Sequence, residues 1–213
     1  MARCQNIGPA FWVIFLYFPR ERKGLNMNPT DAQLLTAAKL ERIATPPSER
    51  AFEAILLRYE KLIHYIARRY FDSREDALDA SQEAALKIYN GLPKVTIPED
   101  GSLKPWICTV VARTCLDEIR KNRLSTVELN EETVRSTLPS AEDIVTGNER
   151  VQEILTAVKH LPEEYRMVII LRDMQGLSYE EVAKALELNI GTVKSRLARA
   201  RSRLKKLVDE GVR

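Results

Sequence analysis

The segment "SYEEVAKALELNIGTVKSRLARARSRLKKL", Ser178–Leu207, leaves few choices of fold. Ser178 followed three residues later by Glu181 is a capping box: the hydroxyl accepts a first-turn amide and the carboxylate reaches back. Val182, Ala183 and Leu186 then fall inward on a helix of two to three turns. "ELN" makes a short turn, and Asn189 is a good N-cap for a second helix. Along that helix Val193, Leu197, Ala200, Leu204 and Leu207 form one narrow apolar stripe. Two helices joined in this way have helix-turn-helix geometry.

The outer face of the second helix carries the chemistry. Seven Lys and Arg, and no carboxylate, stand between Asn189 and Leu207. The whole chain has a net charge of only +3, so a surface for nucleic acid must come from local clustering of this kind. Ser195, Ala198, Arg199, Ser202 and Lys206 lie opposite the apolar stripe, flanked by Lys194, Arg201 and Lys205 on one side and Thr192, Arg196 and Arg203 on the other. Small outward residues let a helix approach a groove wall. Lys194 and Arg199 are placed to reach base edges, and the flanking cations to hold phosphates. The competing reading is a plain solvated basic face. The absence of any acid, the small outward residues and the capped helix just before favour DNA. The candidate contacts are Thr192, Lys194, Ser195, Arg196, Arg199 and Arg203.

The rest of the chain also reads as helix. Gly is scarce, and apolar residues recur at helical spacing rather than alternating. With 213 residues, 45% hydrophobic and 30% charged, the chain suffices for one medium or two small packed domains. Phe52, Ile55, Leu56, Tyr59, Leu62, Ile63 and Ile66 line one face of a predicted helix over Glu49–Tyr70. Others are predicted over Ser73–Tyr89 and Trp106–Asn122, with the Gly- and Pro-containing Asn90–Pro105 between them as a loop. In the last unit, helices are predicted over Val151–His160, Glu163–Met174, Tyr179–Leu186 and Ile190–Val208. Between the units, Leu124–Glu153 holds seven acids against Arg135 and Arg150, an acidic linker. The expected architecture is all-α, with a first domain over 27–124, a flexible linker over 125–147 and a second domain over 148–213.

Residues 1–26 stand apart. Phe11–Phe18 is an apolar run between Pro9 and Pro19. It is too short for a membrane span, which takes about 20 residues, and no small-residue cleavage site follows it. Met27 opens a good helix entry, with Pro29, Thr30 and Asp31 before an amphipathic run. Glu21–Gly24 can be encoded by a purine-rich stretch about two codons upstream of Met27, the place for a ribosome-binding site. The expectation is a leader or mis-assigned start, no membrane insertion, and a natural start at Met27. Cys108 and Cys115 are seven apart on a predicted helix, roughly 10 Å, too far to bridge. They read as free thiols in a reducing cytosol, and with only His64 and His160 no zinc set is available. No Ser/His/Asp or Cys/His set, P-loop or cofactor motif is found, so no catalysis and no cofactor are expected.

Two blocks in the first unit complete the pattern. Asp76, Asp79 and Glu83 fall on one face of one helix, an acidic stripe suited to a basic partner. Trp106 opens the next helix, Asp117 follows eleven residues on, and Arg120, Lys121 and Arg123 come after. With "LPEEYRMVIILRDMQGLSYEEVAKALELNIGTVKSRLARARSRLKKL", these blocks resemble bacterial sigma-70 factors of the extracytoplasmic-function (ECF) group. The resemblance covers about Phe52–Arg123, as region 2, and Leu161–Leu207, as region 4. It implies a subunit that binds core RNA polymerase and directs promoter-specific initiation in the cytoplasm, with promoter DNA and an anti-sigma factor as further partners.

On this resemblance, Asp76, Asp79, Gln82 and Glu83 dock on the polymerase and the last helix reads the −35 element. The loop Asn90–Lys104 captures a base extruded from the −10 element, and Arg113, Arg120, Lys121 and Arg123 contact the strand. Trp106 is expected to be a packing anchor rather than a melting wedge. The family usually has Arg-Asn where this chain has Ala112-Arg113, and the Asn helps hold the flipped base, so −10 preference is expected to differ. The alternative is a free-standing helix-turn-helix regulator, against which the acidic and Trp blocks argue.

Overall fold

The computed structural model describes residues 29–43, 49–98, 101–126 and 149–211. All regular elements among them are helical: α1 Asp31–Ile43, α2 Arg50–Tyr70, α3 Arg74–Gly91, α4 Lys104–Thr126, α5 Glu149–Lys159, α6 Glu163–Ile169, α7 Tyr179–Leu186 and α8 Ile190–Asp209. The expected leader, and the linker beyond Thr126 as far as 147, lie outside the described residues.

Local chemistry sets four of the helix starts. Thr30 and Gln33 exchange side-chain-to-backbone bonds at the start of α1. The Ser73 hydroxyl accepts from the Asp76 amide at the start of α3. Ser178 and Glu181 form the predicted capping box, and Asn189 caps α8 through the Thr192 amide. Several boundaries differ from expectation. The helix expected over Trp106–Asn122 runs from Lys104 to Thr126 and takes in the first two residues of the expected linker. Gly91 extends α3, and a 3₁₀ turn over Leu92–Lys94 follows, where loop was expected. A side chain at 91 would collide with Trp106, since a Cβ there would stand 2.9 Å from its ring. Glycine therefore lets α3 and α4 approach, and Trp106 packs half-buried against the core as the predicted anchor. The helix predicted to Met174 is α-helical only to Ile169; Ile170–Met174 is a π turn, closed by Gly176 at φ 77°.

The core is built on the predicted stripes. Ile55, Ile63 and Ile66 of α2 are buried with Leu34 and Leu35 of α1, Ile88 of α3, and Ile107 and Val111 of α4. Truncating one such isoleucine to alanine costs about 2–5 kcal/mol. In the second unit Leu161, Met167–Leu171, Val182, Val193, Leu197 and Ala200 are buried. The two sets form one continuous core, because α4 packs directly against α7.

Three cations reinforce that junction, each landing on carbonyls at or near the C-terminal end of a helix. Arg166 Nη1 donates to the Tyr70 carbonyl at the end of α2 (2.7 Å). Lys104 Nζ donates to the Gln175 carbonyl after the π turn (2.7 Å). Arg113 donates through Nη2 to the Lys184 carbonyl (2.9 Å) and through Nε to that of Ala185 (3.1 Å) at the end of α7. Helix C-termini leave carbonyls unsatisfied and carry partial negative charge, so cations are favoured there.

Candidate nucleic-acid interface and acidic docking face

The basic face is built by α8. Val193, Leu197 and Ala200 are buried against α6 and α7, which fixes the rotation of the helix about its axis. Leu204 and Leu207 are only half-buried, so the stripe loosens toward the C-terminus. Lys194, Ser195, Ala198, Arg199, Ser202, Arg203 and Lys206 are exposed, as the helical projection requires. Ala198, Arg199, Ser202, Arg203 and Lys206 line an open groove along the helix. The Asn189 cap holds both the amide and the hydroxyl of Thr192, at 2.9 and 2.7 Å, and fixes the N-terminal turn that a helix-turn-helix presents to a major groove.

The cations of α8 are not equivalent. Arg201 forms a two-pronged pair with Asp173 of the π turn, at 2.9 and 2.5 Å, and that carboxylate raises its pKa. Arg196 is half-buried and pairs with Glu164 of α6 at 3.5 Å. Lys194 Nζ lies 5.5 Å from the Tyr179 ring centre, and Arg172 stacks on the same ring at 4.6 Å. Tyr179 therefore orients Lys194, a role its sequence position beside the capping serine does not announce. Arg199 and Arg203 are left as the exposed arginines of the outer face.

The acidic face lies on α3. Asp76 and Asp79 are exposed, while Gln82 and Glu83 are half-buried. Ala77, Ala80, Ser81 and Ala84 are buried on the opposite side. Ser81 turns inward and donates to the Ala77 carbonyl (2.7 Å), so the polar motif is split between outward acids and an inward hydroxyl. Lys87 stands at the end of the stripe, 3.9 Å from Glu83 and 3.3 Å from Asp117 of α4.

The α4 residues expected to meet DNA fare unevenly. Arg120 is exposed and lies 3.8 Å from Asp117. Lys121 is exposed and bonds Glu118 at 2.6 Å, which raises its pKa. Arg113 is exposed, but its guanidinium is engaged by the end of α7 and by Glu187 (3.2 Å), so in this arrangement it is not a free strand contact. The Arg123 side chain lies outside the described residues. Between the 3₁₀ turn and α4, residues 95–98 and 101–103 are described; Thr96 and Pro98 are exposed, and Val95 and Leu103 are buried.

Cys108 and Cys115 are free and buried in α4. Burial pushes their thiols up, to about 11 and about 12, so both are protonated and unreactive at neutral pH. Among the described residues no group of three or more His, Cys, Asp or Glu side chains stands close enough to hold a metal ion. No helix among them is long and apolar enough to cross a membrane.

Comparison with known proteins matches two separate stretches of the chain. Residues 55–124 match sigma-70 region 2, and residues 151–204 match sigma-70 region 4. The chain is 31% identical over 198 residues to the ECF RNA polymerase sigma factor SigM of Mycobacterium tuberculosis, covering 90% of this chain and 91% of that one. It is 29% identical over 191 residues to the ECF RNA polymerase sigma-E factor of Escherichia coli K12, covering 85% and 98%. Among solved structures it resembles the sigma factor RpoE bound to the anti-sigma factor NepR from Bartonella quintana. The TM-score there is 0.64 and the identity 25%, covering 76% of this chain and 98% of the other. The fold is shared with CnrH in complex with the cytosolic domain of CnrY at a TM-score of 0.56 and 23% identity, covering 84% and 97%.

Proposed function

The chain belongs to the sigma-70 family of RNA polymerase sigma factors, in its extracytoplasmic-function group, and from that premise we propose how its residues divide the work of promoter recognition. It is a promoter-recognising sigma factor. The observation that carries the residue-level reading is the separation of charge between two faces of one chain. Asp76, Asp79 and Glu83 point outward from α3, and α8 presents an outer face that carries no acid from Asn189 to Leu207.

The acidic face docks on a basic surface of core polymerase, where opposite charge speeds encounter and fixes register. The N-terminal turn of α8 enters the major groove at −35. Lys194, Ser195 and Arg199 reach base edges there, while Thr192, Arg196 and Arg203 hold phosphates. Arg120, Lys121 and Arg123 follow the −10 strand, and the loop before α4 receives the extruded base, which repays an unstacking cost of a few kcal/mol. The chain itself performs no bond chemistry; that belongs to the polymerase. It works in the cytoplasm, and an anti-sigma factor holds it inactive, as the anti-sigma factor NepR binds the sigma factor RpoE.

The packing of α4 on α7 adds a constraint. Elements centred near −35 and −10 lie roughly 25 base pairs apart, about 85 Å along B-DNA. Helices in contact do not reach across that distance, so promoter engagement requires the two units to part. The docking assignment is tested by measuring affinity for core polymerase after the paired change Asp79→Lys and Glu83→Lys. Weakened core binding supports it, and unchanged affinity refutes it.

A further inference from the structure

The −10 loop is held from outside the region 2 match. Its entry and exit are both tied to α1, residues 31–43, whereas the match begins at residue 55. At the exit, Asp31 Oδ2 accepts from the Leu103 amide (2.8 Å), the Ser102 hydroxyl (3.0 Å) and the Tyr59 hydroxyl. Its other oxygen accepts from Arg58 Nη1 (2.7 Å). Ser102 Oγ in turn accepts from the Lys104 amide, the first residue of α4 (3.1 Å). At the entry, Lys39 Nζ donates to the Val95 carbonyl (2.5 Å), directly after the 3₁₀ turn. Asp31 and Lys39 are eight residues apart, so α1 holds the loop at two points about 12 Å apart along its axis.

We propose that α1 is the scaffold of the −10 loop, and that Asp31 and Lys39 are positioning residues which set the base that the loop accepts. This rests on the reading of that loop as the receiver of the extruded −10 base. A site that reads a base must hold its donors and acceptors within about 0.5 Å of the productive geometry. Between the two anchors Thr96 and Pro98 are exposed, Ile97 packs against the core, and the Pro98 carbonyl accepts from the Gly101 amide (2.9 Å). The ends add further rigidity. A carboxylate only 8% exposed that accepts four hydrogen bonds supplies it at one end. Burial alone would raise the Asp31 pKa, but the hydrogen bonds from Tyr59, Leu103, Arg58 and Ser102 outweigh it, so the group is charged at neutral pH.

The test reads base preference separately from affinity. Holoenzyme assembled from the full chain and core polymerase transcribes a pool of duplexes with a randomised promoter region, and the productive templates are sequenced. Four variants are compared with the wild type: Asp31→Asn, Lys39→Met, Ser102→Ala, and a chain with glycines in place of Thr96, Ile97 and Pro98. The anchor variants are expected to lose about ten-fold in base discrimination at −10. Core affinity and −35 preference should stay within about two-fold of wild type, as for changes remote from those surfaces. Equal losses at −10 and −35 would mark a merely structural role and overturn the proposal, as would an unchanged −10 preference. If Asp31→Asn does not fold by circular dichroism, Lys39→Met and Ser102→Ala decide. If the glycine loop keeps wild-type −10 preference, the reading of the loop itself is wrong and the proposal falls with it. If the glycine loop changes the preference and the anchor variants do not, the proposal alone falls.

Discussion

The guanidinium of Arg113 sits on the C-terminal end of α7, its Nε 3.1 Å from the carbonyl of Ala185, 72 residues away in the chain. The same group reaches the Lys184 carbonyl and the Glu187 carboxylate. One side chain thus spans the junction between the unit assigned to −10 and the unit assigned to −35. It does so from the position where the family usually places an asparagine.

Arg113→Ala should loosen that junction. The arginine is 44% exposed and Glu187 is 75% exposed, so their ion pair contributes little; the carbonyl bonds carry most of the effect. A loss of about 1 kcal/mol corresponds to about five-fold more frequent opening. Cys108 is fully buried in α4, and Glu181 of α7 lies near enough to act on its thiol. Site-resolved alkylation of Cys108, followed by mass spectrometry, should therefore be about five-fold faster in the variant. An unchanged rate would show that Arg113 does not hold the junction closed.

The web around Asp31 predicts a specific loss of stability in alkali. Burial, with the Asp31 hydrogen bond, raises the Tyr59 hydroxyl to about 12, against an ordinary value of 10.0. The folded chain therefore keeps this proton where the unfolded chain releases it. Its contribution is complete below pH 10 and is lost as pH rises toward 12. Denaturant titrations across that range should show falling stability. Tyr59→Phe should show a shallower decline, from a starting value lower by about 1–3 kcal/mol because a buried carboxylate loses a donor. Equal slopes for the two proteins would contradict the assignment.

Arg199 and Arg201 stand two residues apart on α8 and should behave differently. Arg199 is exposed on the outer face, and its change to Ala should cost about 1–3 kcal/mol in DNA binding. Arg201 is already engaged by Asp173, so Arg201→Ala should weaken DNA binding less. Fluorescence anisotropy with a −35 duplex, repeated at several salt concentrations, separates the two. Equal losses would mean that the Asp173 pair opens on DNA.

What the sequence made legible was what is encoded within one turn of helix. The Ser178–Glu181 box, the Asn189 cap and the buried stripe of Val193, Leu197 and Ala200 depend on residues three or four apart, and all were read directly. The outward acids of α3 followed from the same periodicity. Contacts between distant segments left no local signal. Asp31 reads as an ordinary first-turn acid, yet it meets Ser102 and Leu103, 71 and 72 residues on. Arg196 and Arg201 read as free flanking cations until Glu164 and Asp173 are seen beside them. The π turn at Ile170–Met174 was hidden because its apolar run suits an α-helix equally well.

The central claim is that this chain confers promoter choice on a polymerase. The most direct measurement is transcription by purified bacterial core polymerase on fragments of the host genome, with and without the full chain. The account predicts discrete start sites that appear only when the chain is present and disappear with the paired Asp79→Lys and Glu83→Lys change. A chain that binds DNA fragments in the absence of polymerase but directs no specific start would contradict it, and would fit a free-standing regulator instead.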